Sequence, residues 1–234
     1  MQMLGVVPSA VLLAAGPALT FVCSSAKAIY DPTNGEAVGT VGEVSALTAL
    51  ENVRRAMMAD ITGRTILTHR PRVTDSVLEA ARKMDENSFG RRYAAYMDHN
   101  KFLPSGRTPV QHIADPTLSY IMTRYRECHD FLHTITDCGR TVEEEVAVKL
   151  LEFQHTGLPL GLLAVLGGAP HMSAAQRQQV REYWRWAQAN RPNGTHGERF
   201  INCYLNIMWE DLLPRPHAEV VREVGITPLK EFLK

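Results

Sequence analysis

The segment "MTRYRECHDFLHTITDCGRTVEEEVAVKL", Met122–Leu150, decides how the rest of the chain is interpreted. It places His129, Asp130 and His133 within five residues and supplies three consecutive glutamates shortly afterwards. Imidazole and carboxylate groups are costly to bury without partners, so this spacing needs a physical reason.

Helix-end signals predict that the first part of this segment is one long helix. Asp115 followed by Pro116 is typical of an N-cap and a first helical position. The helix is expected to run to about Cys138, with Gly139 ending it in the left-handed conformation.

A second helix is predicted to follow after a very short connection. Thr141 is an N-cap candidate, and Glu144 three residues later completes a capping box. The helix should end near Gly157, so residues 116–156 are predicted to form an antiparallel helical hairpin.

The long helix should bury the face that carries its histidines. At about 100° per residue, His133 lies about 40° from His129, and Asp130 lies about 100° from it. Arg126 falls on the same face. Three apolar side chains lie within about 40° of His129: Leu118, Met122 and Tyr125.

Glu145 is the expected counterpart of the histidines on the second helix. His133 lies about 7.5 Å of helix before the turn, and Glu145 lies about 6 Å after it, so both reach a similar depth. Together with His129 and Asp130 they would provide two imidazoles and two carboxylates for a divalent cation. Mixed nitrogen and oxygen ligands suit zinc best, and iron, manganese and cobalt also fit.

Each of these residues also has a purely structural interpretation. Glu145 could pair with Lys149 on a solvated face, which is worth only about 0.3–0.5 kcal/mol. Arg126 could be the partner of a helix carboxylate such as Glu127 or Glu210. From spacing alone, the metal site and the structural interpretation stay open.

The remaining pattern predicts an all-α, single-domain bundle covering residues 1–234. Hydrophobic residues make up 45% of the chain and the net charge is zero, so composition gives no indication of a nucleic-acid partner. Four cysteines without a CxxC pair favour a reducing compartment. Residues 100–115 are expected to form a loop. Further helices are predicted from near Gly42 and from Phe89, and over about 74–84, 173–190 and 198–213.

The apolar N-terminus is predicted to form a helix over about residues 7–28. No charge precedes Lys27, so the segment lacks the basic region of a signal peptide and the arginines of a transit peptide. Pro8 and Gly16-Pro17 interrupt it, which favours a helix on a membrane surface or in the core over a membrane span.

The hairpin sequence "RYRECHDFLHTITDCGRTVEEEVAVKLLEFQHTGLP" resembles the fourth family of mitochondrial coenzyme Q biosynthesis proteins. The hallmark of that family is HDxxH followed after eleven residues by Glu, and His129, Asp130, His133 and Glu145 match it. The resemblance extends over roughly residues 7–228. Other matching landmarks are Gly63–Val73, Phe89–Met97, Met122–Glu127, 157–159 and Asn206–Leu213.

The resemblance implies a zinc ion bound by His129, Asp130, His133 and Glu145 between the two hairpin helices. It implies peripheral attachment to the matrix side of the inner mitochondrial membrane, in a complex with other ubiquinone-biosynthesis proteins. The implied reaction is the C1-decarboxylation of 4-hydroxy-3-methoxy-5-polyprenylbenzoate to 2-methoxy-6-polyprenylphenol. Arg126 is the candidate for binding the carboxylate of this polyprenylated aromatic substrate.

Two other functions remain open at this stage. The chain could be a non-catalytic scaffold that binds prenyl lipid and organises the complex, with the metal only bracing the hairpin. An HD-type phosphohydrolase is disfavoured, because His112 lies in an expected loop and Asp137 follows too closely. Four protein ligands would also close a catalytic zinc site, which usually keeps an open position. A homo-oligomer also remains open, because the sequence does not determine the oligomeric state.

Overall fold

The helix that carries both histidines runs from Pro116 to Thr136 in the computed structural model. The Asp115 carboxylate accepts the first backbone N–H groups, so the predicted N-cap is confirmed. The predicted stop at Gly139 is wrong, because Asp137 takes the left-handed conformation with φ 54°. Asp reaches this region more easily than most residues, so the helix ends two residues earlier than the glycine signal indicated.

The second hairpin helix spans Val142–Thr156, as its end signals predicted. The Thr141 hydroxyl accepts the Glu144 backbone N–H, and the Glu144 carboxylate accepts the Thr141 N–H, so the capping box is present. Gly157 closes the helix with φ 68°, a conformation that glycine adopts without strain.

The structure describes residues 35–159, 162–163, 173–192 and 201–234. These ranges contain helices, turns and loops but no strand, so the predicted all-α fold is confirmed. The α-helices are α1 Gly35–Ser45, α2 Leu47–Ala59, α3 Ile61–His69, α4 Asp75–Ala81, α5 Phe89–His99, α6 Pro116–Thr136, α7 Val142–Thr156, α8 Ala174–Ala189, α9 Trp209–Leu212, α10 His217–Val224 and α11 Leu229–Phe232. Two short 3-10 turns, Pro104–Gly106 and Tyr204–Asn206, lie between them.

Helix α6 lies at the centre of the core that the described helices share, and most of its residues are buried. Its Phe131 packs against Phe89 of α5 and Trp209 of α9, with ring centroids 5.6 and 5.5 Å apart. Aromatic pairs at these separations add to the stabilisation from burial alone. The central position of α6 explains why its polar side chains need specific partners.

Gly63 allows α2 and α3 to meet at a sharp corner. A Cβ atom at this position would lie 2.3 Å from the Met57 carbonyl oxygen and 2.8 Å from Asn206 Oδ1. Both distances are below any normal contact, so only glycine fits here without a backbone shift.

The predicted helix over 198–213 is wrong within the described residues. The chain forms a 3-10 turn at Tyr204–Asn206 and the short α9 instead. Two carbonyl groups in this stretch, those of Leu205 and Ile207, accept hydrogen bonds from the buried Arg124 side chain. The Arg124 guanidinium of α6 therefore binds carbonyl oxygens that would accept backbone N–H groups in a continuous helix.

The predicted N-terminal helix over about 7–28 lies outside the described residues. Among the helices that the structure describes, none is both long enough and apolar enough to span a bilayer. The described ranges share one hydrophobic core, and the single domain over residues 1–234 stays a prediction.

The buried His155 of α7 gives the fold a predictable pH dependence. Its ring joins the Asn190 carbonyl oxygen, 2.8 Å from Nε2, to the Tyr204 backbone N–H, 3.3 Å from Nδ1. Burial lowers the pKa of His155 to about 4, against about 6.5 in an unfolded chain. Because the unfolded state binds this proton more readily, the stability is complete above pH 6.5 and is lost as pH falls towards 4.

We therefore expect His155 to reduce the free energy of unfolding by about 2 kcal/mol between pH 7 and pH 5. Urea unfolding at both pH values would measure this loss. Between the same pH values, the free energy of unfolding of His155→Gln should fall by about 2 kcal/mol less than that of the unchanged protein. An equal pH dependence in the two proteins would contradict the assignment.

Candidate metal centre

Three side chains of the hairpin converge at one point. Nε2 of His129 and Nε2 of His133 lie 3.1 Å apart. Glu145 Oε1 lies 3.2 Å from the His129 nitrogen, and Glu145 Oε2 lies 3.2 Å from the His133 nitrogen. Among the described residues, His129, His133 and Glu145 are the group whose ligand atoms all lie within 4.8 Å of one another. The matched depth that the sequence predicted for His133 and Glu145 is therefore observed.

Hydrogen bonds fix which nitrogen of each ring faces the cluster. Nδ1 of His133 lies 3.1 Å from the Cys138 carbonyl oxygen and must donate to it. Nδ1 of His129 lies 2.8 Å from Glu152 Oε1 and donates in the same way. Tyr96 also stacks on His133, with ring centroids 5.2 Å apart. With both Nδ1 atoms protonated, both Nε2 atoms present lone pairs to the cluster unless one carries a second proton.

Two nitrogen lone pairs at this separation need a cation between them or a shared proton. Burial and the Lys149 ammonium each lower the pKa of His129, but the Glu145 and Glu152 carboxylates outweigh them and raise it to about 10. Burial alone would raise the pKa of Glu145, but the His129 imidazolium and the two histidine hydrogen bonds hold it far below its usual range. The cluster therefore attracts positive charge strongly, whether as a proton or as a metal ion.

The donor set fits zinc. Two neutral imidazoles and one carboxylate are a common protein ligand set for catalytic zinc, with the fourth position left to water or substrate. Each imidazole also donates its other N–H to an oxygen, which is the usual arrangement around zinc-bound histidine. A three-ligand set would also remove the difficulty that four protein ligands close the site.

Asp130, the fourth residue of the predicted ligand set, makes a different contact. Its Oδ2 accepts a hydrogen bond of 2.6 Å from Arg107, which belongs to the loop between α5 and α6. Asp130 is not part of the group formed by His129, His133 and Glu145. The role of Asp130 as a metal ligand therefore stays a prediction, and its observed partner is Arg107.

Arg126, the predicted substrate-binding residue, lies on a cavity wall beside His129. One terminal nitrogen donates to Glu43 at 2.7 Å, and the other donates to the Thr108 carbonyl oxygen at 2.7 Å. The alternative partners that the sequence suggested are used elsewhere, since Glu127 binds Arg72 and Glu210 binds Arg124. These bonds hold the Arg126 guanidinium in a fixed position at the cavity.

Sequence reasoning missed Glu152 and underestimated Lys149. Glu152 is buried and accepts hydrogen bonds from His129, from the Tyr125 hydroxyl at 2.7 Å and from the Lys149 ammonium at 2.9 Å. The Lys149 ammonium also lies 3.9 Å from Glu145, but it sits within the cluster rather than on a solvated face. Glu152 follows Glu145 by seven residues, two helical turns, and this spacing was the available signal.

A cavity of about 550 Å³ borders the cluster. Its volume lies within the usual range for sites that bind small molecules. Polar groups from α6, α7 and the 101–108 loop line it together with apolar side chains. The residues that matter here are Phe102, Leu103, Arg107, Met122, Tyr125, Arg126, His129, Asp130, Lys149, Leu158 and Pro159.

The apolar run over 158–167 is only partly described. Leu158 and Pro159 line the cavity, while most of the run lies outside the described residues. The His112 and Asp137 side chains that an HD-type phosphohydrolase would need do not join the candidate metal group among the described residues.

The fold and the site define the class of this protein. It is an all-α protein with a candidate metal centre of two histidines and a glutamate, and this centre lies beside a cavity with polar and apolar lining residues. Comparison with known proteins makes the class specific. The chain belongs to the Coq4 family of coenzyme Q (ubiquinone) biosynthesis proteins, whose family pattern matches residues 10–230.

Similar proteins include mitochondrial COQ4 homologues from trypanosomatids. The chain is 59% identical to the Leishmania major homologue over 182 residues, covering 78% of this chain and 97% of the relative. It is 51% identical to homologue 2 of Trypanosoma cruzi over 214 residues, covering 92% of this chain and 85% of the relative. The names of both relatives describe them as mitochondrial ubiquinone biosynthesis proteins.

The fold also resembles a crystal structure from Nostoc punctiforme, of a protein that is a candidate for ubiquinone biosynthesis. The TM-score is 0.66, and the match covers 91% of this chain and 98% of the other. At 14% identity this similarity concerns the fold alone.

Proposed function

We propose that this protein is a metal-dependent lyase of ubiquinone biosynthesis. The reaction is the C1-decarboxylation of 4-hydroxy-3-methoxy-5-polyprenylbenzoate to 2-methoxy-6-polyprenylphenol. The observation that carries the proposal is the convergence of His129, His133 and Glu145 beside a cavity with cationic and apolar walls. Membership of a ubiquinone-biosynthesis family supports the choice of substrate.

The charges around the cavity favour a substrate with one negative charge. Glu145 and Glu152 contribute two negative charges, while Lys149 and a protonated His129 contribute two positive ones, so the metal-free cluster is neutral. With a divalent cation in place of the His129 proton, the same cluster carries one net positive charge. An aryl carboxylate restores neutrality, which is worth most in a partly desolvated cavity.

The chain's own residues would orient the substrate. Arg126 would attract the substrate carboxylate with its guanidinium charge, while Glu43 and Thr108 keep the guanidinium in place at the cavity wall. Apolar walls such as Met122 and Leu158 would exclude water from the ring and accept the start of the prenyl tail.

The reaction then needs one proton on the ring carbon that bears the carboxylate. Protonation at C1 is assisted by the para oxygen, which carries charge as a ketone-like form. The C–C bond breaks, its electron pair returns to the ring, and CO₂ leaves. A bound divalent ion would supply Lewis-acid stabilisation to substrate oxygens.

Zinc is the proposed ion, with His129, His133 and Glu145 as lasting ligands. Asp130 is proposed as the fourth ligand in the substrate-free protein. Its bond to Arg107 suggests where the carboxylate rests when substrate needs the fourth position. This arrangement would reconcile a four-residue ligand set with a site that opens for catalysis.

The proposed location is the matrix side of the inner mitochondrial membrane, with the protein attached peripherally in a complex with other ubiquinone-biosynthesis proteins. The mitochondrial names of the relatives support the compartment. A substrate with a polyprenyl tail stays in the bilayer, so its enzyme must work at the membrane surface.

The test is a single-turnover assay with the polyprenylated benzoate and measurement of CO₂ release. We expect turnover with zinc-loaded protein, loss of turnover after chelation, and its recovery when zinc is restored. His133→Ala should remove activity by at least about 100-fold, because it deletes one of three ligands.

Equal turnover in His133→Ala and in the unchanged protein would rule out the metal-dependent reaction. No turnover in a folded, zinc-loaded protein that still binds the prenylated acid would instead favour the non-catalytic scaffold. Circular dichroism of each protein before the assay controls for loss of folding.

A further inference from the structure

Glu152 is a buried carboxylate that the proposed reaction does not yet use. It is only 1% exposed, and it contacts His129 without belonging to the metal group itself. Its Oε1 lies 2.8 Å from His129 Nδ1, and its Oε2 accepts from Tyr125 and Lys149. A carboxylate is costly to bury, so three donors on its two oxygens are what make this position tolerable.

Two groups compete for His129 Nδ1. The Lys149 ammonium lies 3.3 Å from this nitrogen and can only donate, which would make Nδ1 an acceptor. Glu152 can only accept, which makes Nδ1 the donor. A neutral imidazole carries one N–H, so the group that engages Nδ1 also decides whether Nε2 has a lone pair or a proton.

The geometry favours Glu152 in this competition. Its contact with Nδ1 is 0.5 Å shorter than that of Lys149 (2.8 against 3.3 Å), and Lys149 has its own acceptor in Glu152 Oε2 at 2.9 Å. In the neutral, metal-binding form of His129 the hydrogen is therefore on Nδ1, and Nε2 offers its lone pair on the side of Glu145 and His133.

We infer that Glu152 is a positioning residue that selects the metal-binding form of His129 by accepting its Nδ1–H and by holding Lys149 away from that nitrogen. This inference rests on the metal site of the proposed function. Partners of this kind typically change metal affinity by about 10–100-fold when they are removed.

Glu152→Gln tests the inference with little change in side-chain volume. The amide can donate its own N–H to His129 Nδ1, and Lys149 loses its charged acceptor, so Nε2 becomes protonated at the point where the metal binds. We expect zinc affinity, measured by competition with a chromophoric chelator at pH 7.5, to fall by about 10–100-fold.

Glu127→Gln is the matched control. Glu127, on α6, is likewise a buried carboxylate, but its two hydrogen-bond donors are Arg72 and the Val73 backbone N–H. Both variants lose a buried negative charge, so both are expected to lose stability. Only Glu152→Gln should lose zinc affinity, since a structural role alone would not separate the two.

A second measurement is made on the unchanged protein, with one variant for signal assignment. The ¹⁵N imidazole spectrum of the zinc-loaded, unchanged protein should show His129 with a protonated Nδ1 and a metal-bound Nε2. His129→Gln assigns the signal. A metal-bound Nδ1, or unchanged zinc affinity in Glu152→Gln, would overturn the inference while leaving the metal site intact. Absence of zinc binding in the unchanged protein would instead overturn the proposed function, and this inference with it.

Discussion

Glu145→Gln is expected to weaken zinc binding by about 100–1,000-fold. Structural zinc sites with four ligands have apparent binding free energies of about 10–16 kcal/mol, so one ligand accounts for roughly 2.5–4 kcal/mol. Glu145 is the only negatively charged member of the His129–His133–Glu145 group, and its two oxygens reach both imidazole nitrogens at 3.2 Å. The amide keeps the volume but loses the charge that would hold a divalent cation.

Zinc affinity is measured by chelator competition, and decarboxylation is followed with a fixed, limiting zinc concentration. Turnover should fall in step with zinc occupancy. Zinc should also raise the melting temperature of the unchanged protein and not that of the variant, because only a ligand that binds the folded state stabilises it.

Glu143→Gln is the matched control for this variant. Glu143 lies in the same first turn of α7 but is not part of the metal group. Its replacement by Gln removes the same charge from the helix N-terminus. Zinc affinity within about threefold of the unchanged protein is expected for it. An equal loss in both variants would mean that the effect comes from net charge and not from coordination.

Asp130→Asn separates lasting ligands from exchangeable ones. If Asp130 is the fourth ligand only in the substrate-free protein, its replacement should cost less than that of Glu145, about tenfold in affinity. A loss equal to that of Glu145→Gln would make Asp130 a lasting ligand. Unchanged affinity would remove it from the ligand set and leave it as the partner of Arg107.

The hairpin could be predicted from sequence because local signals define it. Asp115, Pro116 and Thr141 act on neighbouring backbone groups, so their effects are visible within a few residues of chain. The depth of Glu145 followed from the helical rise and the short connection. The positions of the candidate metal ligands on the hairpin therefore follow largely from local structure. The one helix end of the hairpin that was predicted wrongly is that of α6, where Asp137 and not Gly139 takes the left-handed conformation.

The counter-charges could not be predicted because distant segments supply them. The helical pattern correctly marked the buried face of α6, but it could not show that Arg107 binds Asp130 or that Glu43 binds Arg126. The sequence offered Glu210 as a partner for Arg126, while the structure gives it to Arg124. A shift of two residues along a helix turns a side chain by about 200°, so choosing between these arginines requires the position of the partner element.

Arg124→Met is expected to reduce the free energy of unfolding by about 3–5 kcal/mol, a large part of the total for a typical domain. The Arg124 side chain has no exposed surface and joins α6 to the C-terminal segment. It donates to the carbonyl oxygens of Leu205 at 3.2 Å and Ile207 at 2.6 Å, and to the Glu210 carboxylate at 3.1 Å. Methionine fills the volume but leaves these acceptors without their donor.

The exposed Arg185 provides the control for this prediction. It also pairs with a carboxylate, Glu182, at 2.8 Å, but its side chain is 65% exposed, so Arg185→Met should change stability by less than about 1 kcal/mol. Urea unfolding of both variants at pH 7 measures the difference. Similar small losses would mean that water replaces the Arg124 contacts. The observed absence of a continuous helix over 201–213 would then need another cause, because these carbonyls would no longer depend on Arg124.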